Sequence, residues 1–223
     1  MPTIKKQEIA QQNIMKACKC EGFGCKFCAK KVEHINTISR AGIPVSYWDY
    51  NLDTFFGNVE FKKLIEEYVK NIDGIFNSGK SIIFMGNLGV GKTFAGIELL
   101  KAASYKKYSI LYTAMSEIID MLLNRETKYN FKSLLLDSDF LMIDELDSRH
   151  MPSSDYAKEI FGENLEYIIR SRIQNKLPII FCTNNSDLNM FEGYFKYVFD
   201  SLLSKNNLIK IPVAGLDLRK TEI

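Results

Sequence analysis

Two glycine-spaced lysines are the first residues of this chain whose types and spacing could do chemistry. The pattern G-x-x-x-x-G-K-[ST] occurs at Gly74–Ser81 (GIFNSGKS) and again at Gly86–Thr93 (GNLGVGKT). In such a loop the glycines let backbone N–H groups close on an anion. The lysine brings an ammonium to the β and γ phosphates of a nucleotide, and the final hydroxyl faces a magnesium ion. The loop works only where a strand runs in and a helix runs out, because the helix N-terminus completes the anion site. The first copy runs straight into the apolar strand candidate SIIFM and is set aside as a coincidence. The second follows that strand and precedes the helix-forming run FAGIELLKAA. Gly86, Asn87, Leu88, Gly89, Val90, Gly91, Lys92, Thr93 and Phe94 are therefore the candidate nucleotide contacts, with Thr93 directed at magnesium. A glycine-rich turn with an exposed lysine is the bland alternative, and the strand-loop-helix context disfavours it.

Hydrolysis of a bound triphosphate needs a carboxylate for the metal and a group to polarise water. The apolar run Phe140-Leu-Met-Ile ends in Asp144-Glu145. Asp144 is expected to hold magnesium and Glu145 to act on the attacking water, against the plain reading of an acidic turn after a buried strand. The adjacent Asp-Glu pair and the absence of any Asn-Lys-x-Asp segment favour ATP over GTP.

A second constellation lies upstream. Cys18, Cys20, Cys25 and Cys28 fall within eleven residues as C-x-C-x4-C-x2-C. Four thiolates in a tetrahedral array form a preferred structural zinc site, and so short an excursion has too little apolar surface to fold without one. Redox-active or iron-sulfur ligation is the alternative. His34 is too far along the chain to join, and Cys182, at the end of an apolar strand, reads as core. Lys19, Lys26, Lys30 and Lys31 interleave with Phe23 and Phe27, a pattern that suits single-stranded nucleic acid or a docked protein, or a merely solvated face.

The elements that must position these residues follow from hydrophobic periodicity. Helices are predicted over Ile4–Ala17, Lys30–Arg40 and Asn58–Ile72, the second broken by Ala41-Gly42-Ile43-Pro44. Strand Ser81–Met85 then opens an alternation: helix from about Lys92, strand Ile110–Ala114, helix Ser116–Leu123, strand Phe140–Ile143, helix Tyr156–Ile173, strand Pro178–Cys182. Short apolar strands separated by helices predict a parallel sheet covered on both faces, a three-layer α/β fold. The expected division is an N-terminal helix and cysteine segment over 1–45 and a nucleotide-binding domain over 46–223.

Composition agrees with a globular chain. Its 223 residues are 46% hydrophobic, without eighteen successive uncharged apolar residues, and the first twenty lack the apolar run of a secretory signal. A cytoplasmic protein with no membrane span is expected, which argues against a disulfide framework. The net charge of +2 conceals an asymmetry: residues 1–40 hold eight Lys/Arg and three Asp/Glu, leaving 29 − 8 = 21 and 27 − 3 = 24 for the rest. Zinc held by four thiolates would offset part of that basic excess.

With the phosphate loop, the Asp144-Glu145 strand end and IIFCTNNS in order, residues 18–219 resemble the AAA+ ATPases, within them the DnaC/DnaI-type replicative helicase loaders and their IstB-type relatives. Ala41-Gly-Ile-Pro-Val-Ser-Tyr47 resembles the family's stretch leading into the nucleotide pocket. The resemblance implies that Asn184 senses the γ-phosphate or attacking water, that Arg219 senses nucleotide from the same chain, and that subunits form a homo-oligomer or a co-oligomer with the helicase. In such assemblies an arginine reaches the neighbour's γ-phosphate. Here Phe199–Lys205, where it is expected, has none, leaving Lys205, Arg170 or Arg172 as substitutes. About forty residues follow Asn184, which implies a truncated helical lid.

The expected function is that of an ATP-binding and ATP-hydrolysing loader that delivers a DnaB-type replicative helicase to single-stranded DNA, with ATP, Mg2+ and Zn2+ as cofactors. Glu145, Lys92 and Asn184 are its expected catalytic residues. An IstB-type transposition helper acting on duplex DNA, and a nucleotide-switched adaptor with little hydrolysis, are the alternatives. A small-molecule kinase would need a lid rich in arginine after the phosphate loop, and none is present.

Overall fold

A computed structural model describes residues 2–18, 20, 25–123, 128–147, 154–185 and 207–219. Its centre is a parallel sheet of five strands: β1 (Ser81–Met85), β2 (Ile110–Ala114), β3 (Phe140–Asp144), β4 (Ile179–Thr183) and β5 (Leu208–Pro212). Their spatial order is β2-β3-β4-β1-β5. Strands β1, β3 and β4 are buried at every position, as their unbroken apolar sequences require of strands covered on both faces.

The helices are α1 (Pro2–Ala17), α2 (Lys26–Arg40), α3 (Val59–Lys70), α4 (Ile72–Ser78), α5 (Lys92–Tyr105), α6 (Met115–Leu123), α7 (Lys128–Asp137) and α8 (Asp155–Gln174). Side chains of a strand point alternately to its two faces, and the core divides by that parity. Phe84, Met142, Ile180 and Cys182 pack with α2, α3, α4 and α5. Ile83, Ile143 and Phe181 pack with α6, α7 and α8. The result is the three-layer arrangement expected. Ile35 and Ile38 of α2 belong to the first of these cores, and α1 lies on α2 through Gln7 and Gln11, which both donate to Asn36 Oδ1 at 2.6 Å. Among the described residues, no helix is long and apolar enough to cross a membrane.

The rejected first glycine-lysine copy is dismantled by the fold: Gly74 lies inside α4, Gly79 caps its end, and Ser81 begins β1. Several boundaries differ from expectation. Helix α2 starts four residues earlier than predicted, at Lys26, so it takes in Cys28. The expected helix to Ile72 ends at Lys70, and a separate short helix follows. Helix α7 and strand β5 had no predicted counterpart. Lys19, Gly22, Phe23 and Gly24, the arginine-free segment 199–205, and residues 186–206 and 220–223 of the expected lid lie outside the described residues.

One sequence candidate is corrected here. Arg172 is fully buried and cannot reach a neighbouring subunit. Its guanidinium donates to the carbonyls of Leu135 (2.8 Å), Leu136 (3.3 Å), Asp139 (3.4 Å) and Pro178 (3.0 Å) and to Ser138 Oγ (3.3 Å). It closes the C-terminal end of α7, where carbonyls lack helical partners and a cation is favoured. Burial lowers its pKa to about 10, which leaves it charged. Arg170 is different: it is half-exposed and paired with Glu166 at 2.6 Å on the surface of α8. Replacing a buried cation that serves several carbonyls leaves those acceptors unsatisfied. Arg172→Ala is therefore expected to cost about 3 kcal/mol or more of stability, read as a lowered midpoint in urea unfolding at unchanged slope.

Candidate functional site

The C-terminal ends of the strands converge on a cavity of about 610 Å3 lined by Lys92, Thr93, Asp144, Glu145, Asn184 and Arg219, among others. The loop from β1 to α5 forms its floor. Gly91, immediately before α5, has φ of 99°, a left-handed conformation that costs glycine nothing and turns the first N–H groups of the helix inward. Lys92 is only 6% exposed. Its ammonium donates to the carbonyls of Gly86 (2.9 Å) and Asn87, so it is held at the mouth of its own loop. Burial pulls its pKa down, and the facing Asp144 works against that shift.

Asp144 ends β3 and is 4% exposed. Its Oδ1 accepts from the Glu145 N–H at 2.8 Å and from Thr93 Oγ1 at 3.3 Å; its Oδ2 accepts from the Tyr112 hydroxyl at 3.0 Å. Burial raises the carboxyl pKa, and these three donors oppose the rise. A carboxylate and a hydroxyl side by side beside a phosphate loop are the hard oxygen ligands that magnesium accepts. Glu145 has φ of 53°. This left-handed turn, costing a non-glycine residue about 1 kcal/mol, leaves its side chain exposed in the cavity wall rather than in the core beneath.

Sheet order explains where Asn184 comes from. Strand β4 lies between β1, which carries the loop, and β3, which carries Asp144. The residue just past β4 therefore stands between the phosphate loop and the acidic pair, and Asn184 lines the cavity there. The strand ends are tied together, Leu146 N–H donating to Cys182 O at 2.9 Å and Thr183 Oγ1 to Leu146 O at 2.6 Å. From the other side, the segment after β5 folds over the loop. Leu218 N–H donates to Gly89 O at 3.0 Å, and Arg219 pairs with Asp217 at 2.8 Å. Arg219 thus enters the cavity wall, close enough that its charge bears on Lys92.

The rest of the wall was not anticipated in detail. Tyr47, Tyr50, Phe55 and Phe56 from the segment ahead of α3, and Tyr112 from β2, supply an aromatic lining. Phe55 stacks on Phe94 at 4.8 Å. The segment is anchored from beneath by Lys101 of α5, whose buried ammonium donates to the carbonyls of Tyr47 (2.7 Å) and Tyr50 and pairs with Glu98 at 3.0 Å. The density of aromatics from Tyr47 to Phe56 was the available signal; their direction was not readable without this anchor.

The cysteines form a separate centre at the start of α2. Their four sulfurs all lie within 4.8 Å of one another. The Cys18–Cys25, Cys20–Cys28 and Cys25–Cys28 sulfurs are 3.6, 3.4 and 3.8 Å apart. A tetrahedron with metal–sulfur bonds of about 2.3 Å has edges of about 3.8 Å, whereas a disulfide needs about 2.05 Å. The cluster fits zinc and not cystine. Cys25 precedes the first turn of α2, and the backbone N–H of Cys28 and then the Cys18 thiol hold its pKa below the ordinary value. Cys28 is pushed the other way, first by its hydrogen bond with Cys18 and then by burial. A divalent cation at their centre would favour four thiolates.

Neither a protein-family model nor a curated protein matches the sequence. Solved structures do. The chain is similar to the DnaC helicase loader, at 26% identity over 77% of this chain and 100% of that one with a TM-score of 0.61. It is similar to DnaI at 16% identity over 79% and 94%, TM-score 0.64. It is also similar to the replication initiator DnaA bound to AMPPCP and single-stranded DNA, at 18% identity over 77% and 51%, TM-score 0.54. The chain spans about half the length of the DnaA chains that it matches. It has the AAA+ fold, and these neighbours support its assignment to the DnaC/DnaI type.

Two expectations follow. Lys92→Ala should weaken ATP binding roughly a hundredfold or more, and Asp144→Ala should weaken it tenfold or more with magnesium yet little in EDTA, by calorimetry. Equal affinities in all three proteins would remove the site assignment. The purified chain should carry about one zinc by elemental analysis, and Cys25→Ser should lose it along with the fold of the segment.

Proposed function

We propose that this chain, a DnaC/DnaI-type AAA+ protein, is an ATP-dependent helicase loader that acts in the cytoplasm and delivers a DnaB-type helicase to single-stranded DNA. The observation that carries the nucleotide reading is the convergence of Lys92, Thr93, Asp144, Glu145, Asn184 and Arg219 on one cavity. Lys92 and the N–H groups from Gly86 to Phe94 would hold the phosphates. Thr93 and Asp144 would hold magnesium, which, when bound, neutralises charge on the transferred phosphoryl group. Glu145, exposed beside them, would take or orient the proton of the attacking water. Asn184 would report on the γ-phosphate end, and Arg219 would close the pocket from the segment after β5.

The loader reading is supported by the likeness to the DnaC helicase loader and to DnaI, whose solved chains are matched over 100% and 94% of their length by 77% and 79% of this one. The DnaA neighbour with AMPPCP and single-stranded DNA bound supports a single-stranded nucleic-acid ligand. We assign the cysteine segment to zinc and the region 1–45 to the helicase, with 46–223 as the ATPase domain. Among the described residues, Arg172 is buried and Arg170 is paired with Glu166 on its own helix. This supports slow or partner-dependent turnover, in which nucleotide binding state carries most of the work.

The test is ATP hydrolysis by the purified protein alone and with single-stranded DNA, duplex DNA or its host's replicative helicase. Stimulation by single strands or helicase is expected, with Glu145→Gln reducing stimulated turnover roughly a hundredfold while ATP affinity stays within a few-fold. Stimulation by duplex alone would replace the loader with a transposition helper. Absence of Glu145-dependent turnover in every mixture would leave a nucleotide-switched adaptor.

A further inference from the structure

The carboxylate of Asp144 is fixed by donors from three directions. Two of them, the Glu145 N–H and the Thr93 hydroxyl, share Oδ1. Both of these bonds hold one edge of the carboxylate, and neither reaches its other oxygen. The Tyr112 hydroxyl donates to Oδ2 at 3.0 Å and so restrains rotation of the group from its opposite edge. A phenol holds its proton at neutral pH and a carboxylate oxygen only accepts, so the Tyr112 hydroxyl is the donor.

Tyr112 is itself held from outside the sheet. Strand β2 pairs with β3 in a register that sets Tyr112 opposite Met142, two residues before Asp144 and on the same face. The phenol therefore reaches along the sheet to the strand end. Its backbone N–H donates to Ala41 O at 2.7 Å, just past the end of α2. Beside this bond Gly42 has φ of 80°, and a Cβ there would stand 2.8 Å from Tyr112 O. Any larger residue would press on β2 at this point.

We infer that Tyr112 is a positioning residue for the magnesium carboxylate: it orients Asp144 without touching nucleotide phosphate. The inference rests on reading the cavity as an ATP site and names a residue beyond the motifs that define one. A bond to a charged group in a buried site is strong enough to be seen in binding. A phenylalanine keeps the ring, its packing and the strand, and removes only the donor.

The experiment is ATP binding to wild type and Tyr112→Phe, in EDTA and across a magnesium titration, with thermal unfolding recorded for both. Affinity in EDTA should agree within about twofold, while the half-saturating magnesium concentration should rise about threefold to tenfold. Gly42→Ala, which displaces the Tyr112 backbone but leaves the hydroxyl, should give a shift of the same kind. Superimposable magnesium titrations in wild type and Tyr112→Phe would overturn the inference, as would a loss in EDTA as large as that in magnesium. Asp144→Asn separates the two levels of the reading. If it too leaves magnesium dependence unchanged, the metal assignment fails; if it abolishes that dependence while Tyr112→Phe is silent, only the role of Tyr112 fails.

Discussion

Two opposite charges that the site cannot do without, on Lys92 and Asp144, are almost wholly withdrawn from water. Moving an ion out of water costs several kcal/mol even after relaxation, so each must be solvated by protein. The surroundings are arranged to do that. Lys92 is met by the carbonyls of Gly86 and Asn87, which only a tightly curled loop can aim inward. Asp144 is met by an N–H and two hydroxyls. Those donors come from the end of β3, the start of α5 and the middle of β2, which fixes the mutual placement of three elements. A sheet slipped by one residue would turn every side chain of the moved strand to the opposite face and strand a buried charge. Register is therefore enforced by electrostatics as well as by the apolar core.

Buried charge is used again away from the cavity. Lys101 and Glu98 sit on the flank of α5, a helix hidden on nearly every side, and Lys101 binds the carbonyls of the segment at Tyr47 and Tyr50. That segment has no strand or long helix to complete its backbone bonds, so a buried cation takes their place. Arg172 does the corresponding task on the other face, between the end of α7 and the start of β4. Surface pairs such as Lys107–Glu33, 2.7 Å apart but well exposed, contribute little by comparison.

What could be read from sequence follows the same division. Strands β1 and β2 appear at their expected limits because a short, largely apolar run bounded by turns admits few other readings. The glycine-lysine copy that lines the cavity was separable from the other because only one copy joins a strand to a helix. Strand β5 escaped notice: LIKIP carries a lysine and ends in proline, and among the described residues it stands at the sheet edge, paired with β1. Helix α7 lacks a clean apolar stripe. Arg172 reads from sequence as a candidate for a neighbour's site because nothing local reveals that Leu135, Asp139 and Pro178 bring their carbonyls to it. Tyr112 passed for plain strand because its partner depends on the register between β2 and β3. The four cysteines were legible from spacing alone, while the direction of Asn184 needed the sheet order.

Helix α2 joins the two centres that sequence presented as separate. Its first turn contains Cys28, one of the four clustered sulfurs. Midway, His34 stacks on Tyr105 of α5 at 4.3 Å, and burial lowers its pKa to about 4, so the ring is neutral near pH 7. Ile35 and Ile38 enter the core that α5 also fills. Just past its end, Ala41 accepts from Tyr112, whose hydroxyl binds Asp144. Close-packed interiors transmit displacement instead of absorbing it. Helix α2 thus runs in continuous contact from the cysteine cluster, past the helix that begins with Lys92, to the strand whose Tyr112 bonds Asp144.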